Sequence, residues 1–345
     1  MRKNPQFCFT HSSGEDIYLF TLNNRKGTEI IISNYGAVIT SLKLQVPGRA
    51  INDVVLGFDR MEDYLGDEYL AHYPWFGAAI GRYANRIKDA RFHMHQKIYS
   101  LSRNNHHDQL HGGKEGFDKK VWKPVQFTDS VLELAYTSAD GEEGFPGNLS
   151  VRIQFEMNEA GECSYTYRAG TDRSTPVNLS HHGYFNLNNG RGTIEDHEIR
   201  ILASHILQQD DNLVATGNLL PTRDTRYDFT QWKRIGAEGV DYDQSFVTEH
   251  AGGKLERVAE ARSAHSGLRM ELWTTEPVLH FYTGKWIPRV RGKHAVEYGP
   301  HSGFCFETQV HPNAVNIPHF PNTILEPGQE YYQKTVYKFF PLDSK

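Results

Sequence analysis

The chain has 345 residues, 38% of them hydrophobic and 23% charged, with 19 Phe and 18 Tyr; that is ample material for a buried core and excludes a disordered chain. A net charge of -5, with 37 basic residues dispersed among 42 acidic ones, leaves no basic stripe for nucleic acid or an anionic membrane surface. Cys8, Cys163 and Cys305 are too few and too dispersed for a disulfide framework or a Cys-x-x-Cys metal site, and no run is apolar enough for a signal peptide or a membrane span, so a cytoplasmic protein is expected.

From the N-terminus, β-type runs rich in Ile, Val, Tyr, Phe and Thr are expected at 17–22 and 28–34. Residues 61–69 can hold a helical turn or two. In Gly81-Arg82-Tyr83-Ala84-Asn85-Arg86-Ile87, Asn85 and Arg86 offer amide and guanidinium donors suited to sugar hydroxyls; the plainer reading is a surface turn with an exposed arginine. His93-Met94-His95 has metal-like spacing, but no Glu follows three or four positions later. Between 104 and 117, His106, His107 and His111 again invite a metal. Two adjacent histidines cannot both face inward from a regular strand, however, and no Cys or acidic ligand follows at a familiar spacing.

Further runs are expected at 131–138, 149–157 and 163–169, with the Gly-containing segment 140–144 as a turn. From Val151 to Met157 the alternation is unbroken, which puts Val, Ile, Phe and Met on one face. In 177–187, His181 and His182 sit beside Tyr184 and Asn186; the plainer reading is one satisfied structural histidine and one exposed one. After the turn at 188–192, runs follow at 197–203, 268–274, 278–283 and 335–340. Asp243 in 242–246 has the look of a turn or capping residue. In 303–309 alternation puts Phe304 and Phe306 on one face and Cys305 and Glu307 on the other, so a partly enclosed carboxylate is expected at Glu307. No linker, repeat or composition break interrupts the chain. The expectation is one all-β domain over 1–345, with antiparallel sheets stacked or forming a wide sandwich.

In order and spacing, GRYANRI at 81–87, LHGG and GFD within 110–118, VNLSHHGYFNL at 177–187, YDQSF at 242–246, HSGFCFETQVHPNAVN at 301–316 and PNTILEPGQEYYQKTVYKF at 321–339 resemble the aldose 1-epimerase (galactose mutarotase) family. The resemblance runs from about the Asn34-Tyr35-Gly36-Ala37 turn to Phe339. It implies a large antiparallel β-sandwich with a sugar cleft on a sheet face, needing no cofactor or metal, that interconverts the anomers of a free monosaccharide such as galactose or glucose. By motif, Glu307 is the implied general base and His182 the general acid, on opposite edges of the sugar ring. His111, Asp243, Asn85 and Arg86 match sugar-binding positions. Two positions depart from the family: His181 stands where Asn is frequent, and His280, a further candidate sugar contact, where Gln is common.

Four other readings remain. A sugar-phosphate epimerase would need Arg82, Arg86 or Arg103 to converge on a phosphate. A non-catalytic carbohydrate-binding protein would share the sandwich, a glycosidase would use Asp243 and Glu307 as its two carboxylates, and a cupin-like enzyme would need a metal.

Overall fold

The strand Leu149–Met157 shows how the pattern folds. In the computed structural model, which describes residues 4–45, 52–250 and 252–342, Leu149, Val151, Ile153, Phe155 and Met157 are buried while Ser150 and Arg152 face water. Burying each such aliphatic or aromatic side chain contributes about 1.5–3 kcal/mol. Its neighbours continue the pattern into a nine-stranded antiparallel sheet ordered Lys123–Phe127, Val131–Ser138, Leu149–Met157, Cys163–Thr171, Tyr331–Pro341, Leu268–Thr274, Glu256–Ser263, Glu198–Ile201 and Lys233–Arg234.

A second antiparallel sheet has six strands, ordered Tyr184–Phe185, Phe304–Gln309, Val278–Tyr282, Asp243–Val247, His205–Gln209 and Ala215–Pro221. Its inner face carries Phe185, Phe281, Phe304 and Phe306, whose rings meet one another and reach Tyr337 of the nine-stranded sheet. Thr308 adds polar ties between the sheets, bonding Tyr165 Oη at 3.0 Å and Thr335 Oγ1 at 2.7 Å. A five-stranded sheet from Gln6–Thr10 to Asn52–Asp53 contributes Phe20, Leu22, Ile30 and Ile32 to the same core, whose members run from Phe20 to Tyr337. Positions 1–3, 46–51, 251 and 343–345 of the expected 1–345 domain lie outside the described residues.

The runs expected at 131–138, 149–157 and 268–274 are strands with those bounds, and 197–203 contracts to Glu198–Ile201. The 61–69 segment is a 3-10 turn, Met61–Leu65, followed by one helical turn, Asp67–Leu70. Among the described residues no helix is long and apolar enough to cross a membrane.

Glu256–Ser263 is a strand that patterning misses. A bulge between Arg257 and Ala259 breaks its period of two, and its Glu260 is held by Arg269 at 3.1 Å and Arg257 at 3.5 Å.

One carboxyl within the fold has a pH consequence. Glu276, in the turn joining Leu268–Thr274 to Val278–Tyr282, is buried with Thr275 Oγ1 at 3.4 Å, and burial pushes its pKa up to about 8. The unfolded chain releases this proton near its ordinary value, so stability present below that value is lost as pH rises through about 8. The loss is at most about 5 kcal/mol. Glu276→Gln is expected to flatten the fall in melting temperature between neutral and alkaline pH; an equally steep fall in the variant would show that Glu276 is not its source.

Candidate active site

Alternation that buries the phenylalanines inward turns a polar row outward. On the outer face of the six-stranded sheet, cross-strand register lines up Tyr184, Cys305, Tyr282 and Asp243 in one row, and Glu307, His280 and Ser245 in the next. Of these, Tyr184, Tyr282, Asp243, His280 and Glu307 floor a cleft partly open to solvent.

The walls come from chain segments that cross the sheet. His182 precedes the strand Tyr184–Phe185 and is fixed by its own backbone: its N–H donates to Ala78 at 2.8 Å and its carbonyl accepts from Gly77 at 3.0 Å. The His182 ring stacks on Trp75, with centroids 6.0 Å apart, and meets His111 edge-on at 5.2 Å.

Asn85 and His111 are tied to each other. The His111 N–H donates to the Asn85 carbonyl at 3.1 Å, and the Asn85 N–H donates to His111 Nδ1 at 3.2 Å. Both residues have left-handed φ angles, 62° and 53°, a conformation that side-chain-bearing residues hold only where their surroundings enforce it.

Gly112 supplies that enforcement. Its φ is +88°, and a Cβ there would lie 1.8 Å from the Gly81 carbonyl oxygen. The LHGG and GRYANR segments therefore cross backbone to backbone, which brings His111 beside Asn85. Gly112→Ala is expected to destabilise the fold by about 2 kcal/mol or more and to raise the KM for sugar. An unchanged melting temperature would show that the crossing relaxes without cost.

At the centre, His182 Nε2 is 3.5 Å from Glu307 Oε1, and both side chains are nearly inaccessible. Glu307 Oε2 is buried with no protein partner. Such an oxygen normally finds a donor, so the cleft presents an acceptor free to take a hydrogen bond from water or from a ligand hydroxyl. Cys305 Sγ lies 3.4 Å from His182 Nδ1. Burial lowers the proton affinity of His182; the Glu307 charge offsets part of this, and His280 adds to it. His182 as imidazolium is thus a stronger acid than free histidine. Burial, followed by the charges of His182 and Arg86, holds His111 well below the usual imidazole range. With its Nδ1 accepting the Asn85 N–H, the neutral ring carries its proton on Nε2 as a donor.

His280 is held at both nitrogens, Nε2 by Asp243 Oδ1 and Nδ1 by Ser245 Oγ, each at 2.9 Å. Burial opposes a charge on His280, but the Asp243 bond and the carboxylates of Glu307 and Asp243 outweigh it, and its proton affinity is raised. Burial likewise opposes charge on Asp243, yet the bond and charge of His280 win and its pKa is lowered.

Asn85, Arg86, His111, His182, Asp243, His280 and Glu307 all line this one cleft. Three plainer readings fail. The GRYANR segment is not a surface turn with an exposed arginine: Arg86 is half-buried in the cleft lining, and Arg82 is buried and bonds Ser138, Ala139 and Pro146. Of the histidine pair neither is exposed, because covering layers lie on both sides of the segment. His181 faces the core against Tyr165 and Phe155 with Nε2 on the Ala37 carbonyl at 3.2 Å, while His182 faces the cleft. Asp243 opens a strand and serves His280 instead of capping a turn.

His93, His95, His106 and His107 are all exposed and none of them lines the cleft. His111, His182 and Glu307 have ligand-type atoms within 4.8 Å of one another. A metal on His111 Nε2 would require the proton to move to Nδ1, where the Asn85 N–H already points, so this donor set suits hydroxyl groups better than a cation. Sequence reasoning missed Trp75, Tyr282 and Trp286 in the lining. The aromatic cluster Tyr73-Pro74-Trp75 was the available signal; Trp286, 67% exposed at the rim, had none.

An aldose 1-epimerase family model matches residues 18–338. The chain is 40% identical to a galactose mutarotase of Bos taurus, covering 89% of this chain and 90% of that one. It is 32% identical to an aldose 1-epimerase of Escherichia coli K12, covering 94% and 96%. The crystal structure of a GalM/aldose epimerase homologue from C. elegans superimposes with a TM-score of 0.88 at 26% identity, over 94% of this chain and 99% of the other. A galactose 1-epimerase structure from Lactobacillus acidophilus, at 22% identity and a TM-score of 0.82 over 98% and 99%, shares the fold.

Proposed function

The chain belongs to the aldose 1-epimerase family, isomerases that interconvert the α and β anomers of a free aldose, and from that premise we propose that Glu307 is its general base and His182 its general acid. Glu307 removes the proton from O1 of the cyclic hemiacetal as the C1=O1 bond forms. The C1–O5 bond breaks, and O5 takes a proton from His182 Nε2. Rotation about C1–C2 presents the other face of the aldehyde. His182 then recovers the O5 proton as that oxygen attacks C1, and Glu307 returns its proton to O1.

Protons and bonds balance with these two groups alone. O1 and O5 share one carbon, so acid and base must stand side by side, and the 3.5 Å between His182 and Glu307 suits that better than placement on opposite ring edges. The observation that carries the reading is the buried, unpartnered Oε2 of Glu307 beside that imidazole.

His111, Asp243, Asn85 and Arg86 bind the remaining hydroxyls, and His280 contributes through Asp243. Of the arginines a phosphate would need, Arg82 is spent on backbone carbonyls and Arg103 is absent from the lining, which favours an uncharged sugar. The relatives named as galactose mutarotases support galactose as a substrate, with glucose as the first comparison. The working unit is read as one β domain acting on free monosaccharide in the cytoplasm.

Polarimetry on freshly dissolved α-galactose and α-glucose tests this. Wild-type and chelator-treated protein should both speed equilibration, and Glu307→Gln should not. Failure to accelerate either sugar overturns the free-aldose reading; loss of activity in chelator overturns the metal-free one.

A further inference from the structure

The floor of the cleft contains a group that the proton transfers above do not use. His280 lies between the two strands that carry Asp243 and Glu307, directly across the ladder from Glu307 on one side and Ser245 on the other. Its Nε2 is bonded to Asp243 and its Nδ1 to Ser245, so neither nitrogen is left for a sugar hydroxyl. We propose that His280 is a positioning residue: it fixes the Asp243 carboxylate for the sugar and, by gaining or losing a proton, sets the basicity of Glu307 beside it.

Ser245 is what makes such a change of charge inexpensive. A hydroxyl can rotate, donating to Nδ1 when the ring is neutral and accepting from Nδ1–H when it is protonated. Asp243 accepts from Nε2–H in both states. Both ring nitrogens therefore stay satisfied whichever charge the ring carries, in a place where an unsatisfied polar group would be costly. A glutamine would supply the donor to Asp243 but never a charge.

The groups facing His280 fix the sign. Asp243 and Glu307 on the flanking strands are negative, Arg86 on the wall is positive, and His182 and His111 are imidazoles whose own protonation a protonated His280 opposes. Tyr282 on its own strand is held neutral by burial. Protonated His280 stabilises the Glu307 carboxylate and weakens it as a base, and it also disfavours the His182 imidazolium. Loss of the proton strengthens the base and relieves the acid. Facing cross-strand residues have Cβ atoms about 4.5–5.5 Å apart, close enough for one charge to shift its neighbour's proton affinity appreciably.

This inference rests on Glu307 acting as base, and its test separates the two ideas. Measured from about pH 6 to 9, the quotient of wild-type to His280→Gln kcat should rise about threefold to tenfold across a single ionisation above the ordinary imidazole value. His280→Ala, which leaves Asp243 without its donor, should raise KM more than His280→Gln does. Histidine NMR supplies a readout independent of activity: one buried resonance, absent in His280→Gln, should titrate above the ordinary value and move to lower pH in Asp243→Asn.

A flat quotient in a folded His280→Gln protein overturns the proposal. So does the lack of any titrating histidine that responds to Asp243→Asn, which decides the matter even where His280→Gln fails to fold. If Glu307→Gln is inactive and the quotient is flat, only this inference fails; if Glu307→Gln keeps wild-type turnover, the assignment beneath it fails as well.

Discussion

Glu307→Gln is expected to lower kcat for anomer interconversion by about three orders of magnitude or more, roughly 4 kcal/mol of transition-state stabilisation. Glutamine has nearly the shape of glutamate and keeps an acceptor oxygen, so the sugar still fits. What it lacks is the ability to take the O1 proton. Oε2 is buried and unpartnered, Oε1 has His182 Nε2 at 3.5 Å, and among the described residues no lysine or arginine pairs with Glu307, so the charge is faced by imidazoles, His182 and His280. The melting temperature should therefore hold or rise, since a buried carboxylate is expensive to keep. Loss of turnover in a folded protein with near-normal sugar affinity, measured by polarimetry and calorimetry, is the expected pair of results. A variant within tenfold of wild type would remove Glu307 from the chemistry.

His182→Asn should cost about two to three orders of magnitude in kcat. The backbone bonds of residue 182 to Ala78 and Gly77 do not depend on its side chain, so the wall should stay in place. The ring's stacking on Trp75 and its approach to Cys305 are lost, which makes a modest drop in stability part of the expectation. The more telling result is the double variant. If acid and base act on one hemiacetal in one concerted exchange, removing both should cost little more than removing the worse alone, because effects of residues that work as a unit are not additive. Simple addition of the two losses would mean that they serve separate steps.

Much of this was legible in the chain before any coordinates. The face of 149–157 that is buried and the opposition of Phe304 and Phe306 to Cys305 and Glu307 follow from a period of two, whereas the choice of His182 over His181 for the cleft comes from the motif resemblance. The same period could not give the Asn85–His111 clasp, which depends on left-handed backbone in irregular segments and on the meeting of Gly112 with Gly81. Nor could it foresee that both histidines of the pair would be covered, since that requires knowing that a further layer lies over the strand. Glu256–Ser263 was hidden by its bulge, and Trp286 by lying in a short loop with no pattern around it.

His280 is the case where sequence and structure speak to different questions. Seen as a substitution in a motif, it marks a possible change of sugar preference. Seen in place, with both nitrogens bonded to protein, it acts on its neighbours.

Glu307, His280, Asp243 and Ser245 stand on strands whose reverse side is packed with phenylalanine rings, whereas Trp75, His111 and Trp286 hang from connecting segments around the rim. The base is therefore mounted on the rigid sheet, and the aromatic rim on connecting segments. Someone wishing to retune this enzyme toward a bulkier or differently configured sugar can randomise the segments around Trp75 and Trp286 and screen by polarimetry. Glu307 on the floor would ride through such a library as fixed machinery, whereas His182, stacked on Trp75 and held by the backbone of Gly77 and Ala78, would register changes made on that side.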